Sequence, residues 1–114
     1  MVYMYGIPNC ETVKKARAWF TENKLAYSFH DFKKQGVPEN RLTHWLETAG
    51  WETLLNRKGT TWRKLSPEQQ SKVTDGASAR ALMLEYPSVI KRPVIEWSST
   101  VTVGFNPESW PKGQ

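Results

Sequence analysis

The chain has 114 residues, enough for a single domain with its own core, and its 39% hydrophobic and 12% aromatic content excludes a disordered tract. No apolar run approaches the roughly 18 residues that would span a membrane, and the N-terminus lacks the basic-then-apolar pattern of a secretory signal. The formal net charge of +5 is spread over Lys14, Lys15 and Arg17; Lys33 and Lys34; Arg57, Lys58, Arg63 and Lys64; and Lys91 and Arg92. Scattered clusters of this kind suit a small anion or an acidic protein, and they disfavour nucleic acid as a partner.

Val2–Tyr5 is apolar at both parities, which predicts a strand buried on both faces. Gly6-Ile7-Pro8-Asn9 breaks it. From Cys10, the recurrence of Val13, Ala16 and Phe20 predicts a helix ending near Asn23-Lys24. Leu25, Tyr27 and Phe29 then alternate with Ala26, Ser28 and His30, as in a strand, and a helical crossover makes the two strands parallel. Lys33–Val37 reads as a polar connection, with Pro38 at the first position of the next helix.

Leu42, Trp45, Leu46 and Ala49 give that helix its stripe, and Gly50 its C-terminal cap. Trp51–Leu55 is short and apolar, and Asn56–Thr61 reads as an exposed basic loop. Ser66-Pro67-Glu68-Gln69 is a capping-box signature. Gly76 separates that helix from one carrying Ala79, Leu82, Met83 and Tyr86, which Pro87 ends. Val94–Trp97 and Val101–Val103 predict a hairpin, and Pro107 opens a short last helix carrying Trp110. The order is β-α-β, then a helical block, then β-β-α. The expected fold is α/β and thioredoxin-like. Residues 1–36 and 88–114 form the thioredoxin-like part of one domain, and 37–87 form an all-helical insert.

Cys10 is the only cysteine, so no intrachain disulfide forms, and a reducing, cytoplasmic setting is expected. It sits where a strand turns into a helix. Free amides and the positive end of the helix dipole favour a thiolate there. Lys14, one turn on, adds positive charge, and Asn9 and the Thr12 hydroxyl add donors. Val13 stands where a C-x-x-C dithiol has its second cysteine. An outside thiol must therefore open any mixed disulfide on Cys10, and glutathione is the abundant one. His30 and His44 lack ligand-spaced partners, so no metal site or bound cofactor is expected.

Four segments carry a resemblance to the arsenate reductase (ArsC), Spx and YffB family. They are Tyr5-Gly6-Ile7-Pro8-Asn9-Cys10-Glu11-Thr12-Val13-Lys14-Lys15-Ala16; Leu54-Leu55-Asn56-Arg57; Gly59-Thr60-Thr61-Trp62-Arg63-Lys64-Leu65; and Ile90-Lys91-Arg92-Pro93-Val94 followed by Val103-Gly104-Phe105. The YffB-like branch is the nearest. The resemblance implies a thioredoxin fold with a helical insert, Cys10 as nucleophile, and a cis Pro93 beside it. Arg57 and Arg92 match two of three oxyanion-binding arginines. The third falls where this chain has Val103-Gly104-Phe105-Asn106, and the histidine ahead of the cysteine is also missing. Both departures count against arsenate itself.

The expected activity is therefore that of a glutathione-dependent thiol reductase. Cys10 attacks a small anionic or disulfide substrate. Asn9, Thr12, Lys14, Arg57, Arg92 and Pro93 line the substrate or glutathione site. Glutathione serves as co-substrate, with glutaredoxin as a further reductant. The alternative is a non-catalytic Spx-like regulatory module that binds a protein such as RNA polymerase. A second alternative is an arsenate reductase.

Overall fold

A computed structural model describes residues 1–111. The chain divides into two compact units, Met1–Gly36 with the segment from Arg92 onward, and Val37–Lys91.

In the first unit, β1 (Tyr3–Gly6) leads through α1 (Glu11–Glu22) to β2 (Ser28–Asp31) and a one-turn helix, α2 (Phe32–Gln35). After the second unit, β3 (Val94–Glu96) and β4 (Val101–Val103) complete a four-stranded sheet of order β2-β1-β3-β4. β1 and β2 are parallel, as their helical crossover requires, and the other two pairs are antiparallel. Met4 pairs with Ile95 in the register, so both side chains leave the same face. On that face they are buried with Val2, Ala16, Phe20, Trp97 and Trp110. The Phe20 ring stacks on Trp97 at 5.4 Å and meets Tyr27 edge-on at 5.0 Å, geometries that aromatic quadrupoles favour. Val13, Ala16 and Phe20, the predicted stripe of α1, are all fully buried.

The opposite face of the sheet carries Tyr3, Tyr5, Val94 and Glu96. Tyr5 is buried and its hydroxyl donates to Glu96 Oε1 at 3.1 Å, which gives the buried carboxylate a partner. Tyr3 is 43% exposed, so β1 is not covered on both faces along its whole length. β2 begins later than the alternation suggested. α1 closes with Lys24 at φ 55°, Leu25 N–H bonds back to the Phe20 carbonyl at 2.9 Å, and the ladder starts where Ser28 N–H meets the Val2 carbonyl. Leu25, Tyr27 and Phe29 still pack on the core. The polar connection at Lys33–Val37 is instead largely α2. Asp31 accepts from the Lys33 amide at 2.8 Å, Phe32 is buried, and Gly36 ends the turn at φ 72°.

The second unit contains α3 (Glu39–Ala49), α4 (Trp51–Leu54), α5 (Thr60–Lys64), α6 (Pro67–Ser71), α7 (Gly76–Glu85) and a 3-10 turn at Pro87–Val89. Leu42 and Trp45 of α3, Leu54 of α4, and Ala79 and Met83 of α7 are fully buried. Arg80 of α7 reaches back to the Thr43 hydroxyl at 3.1 Å and pairs with Glu39 at 3.5 Å. Pro38 is the N-cap of α3 rather than its first residue, and its carbonyl accepts the first helical bond from Leu42. Both halves of the Ser66/Gln69 capping box form, and Asp75 with Ser78 makes a second one at α7. The stretch read as a basic loop contains α5 from Thr60 onward; the helix buries nothing, so it leaves no periodic trace in the sequence. An isolated antiparallel bridge, Leu55 with Ile90, ties the segment after α4 to the end of this unit through bonds of 2.8 Å. Among the described residues no helix is long and apolar enough to cross a membrane.

Candidate active site

Ile7-Pro8-Asn9-Cys10 is a turn closed by the Cys10 amide on the Ile7 carbonyl at 3.1 Å. Proline suits the second place of such a turn because its φ is already fixed there. The turn brings the chain from β1 into α1 with Cys10 as the N-cap, at φ −84° and ψ 129°, and its carbonyl accepts the first helical bond from Lys14 at 2.9 Å. An N-cap side chain meets the unpaired amides of the second and third helical residues, here Thr12 and Val13.

The sulfur is partly buried. Burial is the largest single influence on its pKa and acts upward, because a low-dielectric setting disfavours the anion. It is outweighed. The Val13 amide, the Arg92 side chain as both donor and positive charge, and the Thr12 amide together hold the Cys10 pKa below that of an ordinary thiol. The side chain makes no capping hydrogen bond in the structure; these groups act by favouring the thiolate.

Arg92 enters this site from the segment before β3. Its peptide bond to Pro93 is cis, and Pro93 is fully buried. The Pro93 carbonyl accepts from the Gly104 amide at 2.8 Å; Gly104 has φ 89°, a conformation glycine adopts without cost, so the end of β4 fastens the segment that carries Arg92.

Of the residues singled out in the sequence, Cys10, Thr12 and Arg92 therefore converge. Thr12 acts through its amide rather than its hydroxyl. Lys14 is exposed and its Nζ lies 3.9 Å from Glu11 Oε1. Asn9 is exposed in the turn. Arg57 belongs to the second unit, where its guanidinium lies 5.5 Å from the centre of the Trp51 ring. Arg92, expected from the sequence to bind substrate, also acts on the sulfur. Val13 stands in the sequence only where a second cysteine is absent, whereas in the structure its amide is the strongest group favouring the thiolate. That amide was discoverable, since the third residue after any N-cap presents one. His30 has a local structural role, its Nε2–H donating to the Gly36 carbonyl at 2.8 Å.

The solved structure of the YFFB protein superposes with a TM-score of 0.90 at 48% identity, covering 96% of this chain and 95% of that one. An uncharacterized protein of Haemophilus influenzae is 37% identical over 110 residues, 96% of each chain. The global transcriptional regulator Spx 1 of Lactococcus lactis is 28% identical over 108 residues, 93% of this chain and 83% of its own. The ArsC family profile matches residues 5–112. With its mixed α/β, thioredoxin-like fold, the chain belongs to the ArsC family.

Proposed function

We propose that this protein is a monothiol oxidoreductase that uses glutathione and has Cys10 as its nucleophile. The observation that carries the reading is a lone cysteine capping α1 whose pKa is held down by the Val13 amide and Arg92 against the effect of burial. A thiolate is the reactive form of cysteine.

In the disulfide case, the Cys10 thiolate attacks one sulfur of the substrate. A new S–S bond forms, the old one breaks, and the second sulfur leaves with the electron pair as a thiolate. The chain has one cysteine, so no internal thiol resolves this mixed disulfide. A glutathione thiolate attacks it, releasing a disulfide and restoring the Cys10 thiolate. When the adduct on Cys10 is itself glutathionyl, the small product is glutathione disulfide, and glutaredoxin is a second candidate to remove the group. Arg92 favours the attacking thiolate and presents a fork suited to a carboxylate, of which glutathione has two. The family resemblance alone gives Arg57 a role with an anion.

The test follows turnover of a mixed disulfide of glutathione and 2-mercaptoethanol. The wild type is expected to turn over only with added glutathione, and Cys10→Ser to fall to the uncatalysed rate. Glutathione disulfide should leave a single adduct, on Cys10. Equal turnover by Cys10→Ser, or no adduct under conditions that alkylate Cys10, overturns the proposal. Arsenate in place of the disulfide should give little turnover, because Val103–Asn106 supplies no third arginine.

The similarity to Spx 1 over most of the chain favours a second reading, a module that binds a protein such as RNA polymerase without catalysis. Val13 leaves it without the C-x-x-C pair of a dithiol switch. That reading expects Cys10→Ala to keep the partner in a pull-down with purified RNA polymerase.

A further inference from the structure

Gly6 is the last residue of β1 and is buried. Its φ lies outside the left-handed region, so backbone freedom does not explain a glycine here. Space does. A Cβ built on Gly6 falls 2.8 Å from Val13 Cγ2 and 3.8 Å from Arg92 Cβ, and the first distance is shorter than real Cβ contacts allow. Val13 and Arg92 are the residues whose amide and side chain favour the Cys10 thiolate.

The Val13 methyl cannot simply swing aside. Val13 is fully buried, and a β-branched side chain in a helix is held to essentially one χ1 rotamer. A methyl at Gly6 is therefore relieved by moving the first turn of α1, the turn whose Thr12 and Val13 amides meet the sulfur. The remaining charged groups of that turn, Glu11 and Lys14, pair with each other at 3.9 Å.

We propose that Gly6 is a positioning residue for Cys10: its missing side chain is the space in which the first turn of α1 closes beside Arg92 on one sulfur. This rests on the reading of Cys10 as a working thiolate. Gly6 touches no substrate; it acts through Val13.

The experiment measures the rate of Cys10 alkylation by iodoacetamide against pH in the full chain, for the wild type, Gly6→Ala, Val13→Ala and the double variant. Gly6→Ala is expected to raise the midpoint by about half a pH unit or more. Adding Val13→Ala, which removes the obstructing methyl, is expected to return the midpoint to that of Val13→Ala alone. A merely structural role for Gly6 would lower thermal stability and leave the midpoint in place, which overturns the inference. A midpoint that stays raised in the double variant also overturns it. If Gly6→Ala does not fold, the double variant decides: a midpoint matching Val13→Ala supports the couple, and a raised midpoint or a failure to fold refutes it. A wild-type midpoint at the ordinary thiol value would instead refute the catalytic reading of Cys10 itself.

Discussion

At Cys10 two opposite influences meet, and the sign of the outcome decides whether the residue is packing or chemistry. Burial alone would make it an inert thiol. The Val13 and Thr12 amides and Arg92 reverse that. Arg92 therefore carries a direct prediction. Arg92→Ala should raise the midpoint for Cys10 alkylation by about one pH unit, a loss of about tenfold in thiolate wherever the pH lies below both midpoints. Arg92→Lys should recover part of this, because it keeps the charge and loses the planar fork. Alkylation rates across the pH range check both; an unchanged midpoint in Arg92→Ala would remove Arg92 from the site. The sulfur's setting was legible in the sequence because strand, turn and helix are consecutive, and a residue at such a junction sees the helix amides. Arg92's action on it was not legible from the residues themselves. Only the folding of β3 against β1 brings the two together, and a cation remote in sequence leaves no local mark on the cysteine's neighbours.

Among the elements, those with a repeated apolar stripe or a complete cap were readable. α1 and α3 show the stripe, and α6 shows its cap in four consecutive residues. Ser66→Ala removes the hydroxyl that accepts from the Gln69 amide at 3.1 Å and should lower stability by about 1 kcal/mol. Urea unfolding checks it, with a change in midpoint and an unchanged slope expected. No change would mean that the cap does not hold α6. α2 and α5 were not readable, because a single turn with one buried residue, or none, has no period to detect. Their starts and stops depend on a side chain and a glycine acting locally, as Asp31 and Gly36 do around α2. The late start of β2 has the same origin, since the closing turn at Lys24 takes up residues whose alternation already faces the core.

For the molecule as a whole, the sequence of β-α-β, helical block and hairpin was legible, while the strand order β2-β1-β3-β4 follows from tertiary pairing. Phe20 is central to the core of the first unit, in contact with Trp19, Tyr27, Trp97 and Trp110. Phe20→Ala should cost about 3–5 kcal/mol, a large part of the roughly 5–15 kcal/mol that holds a typical domain together. Tryptophan fluorescence during denaturation reads this, and a cost near zero would contradict the packing described. The fold and the sulfur are also linked through protons. Folding lowers the Cys10 pKa, so between the native and unfolded values the unfolded chain binds more protons and stability rises with pH. The gain is complete above the unfolded value and is lost as pH falls through the native one. The most direct test of the central claim is therefore to titrate the Cys10 thiolate by its ultraviolet absorbance in the native protein and again in denaturant, against Cys10→Ser as the blank. A native midpoint below the unfolded one is predicted; a native midpoint equal to it or above it would contradict the claim that this fold makes Cys10 a nucleophile.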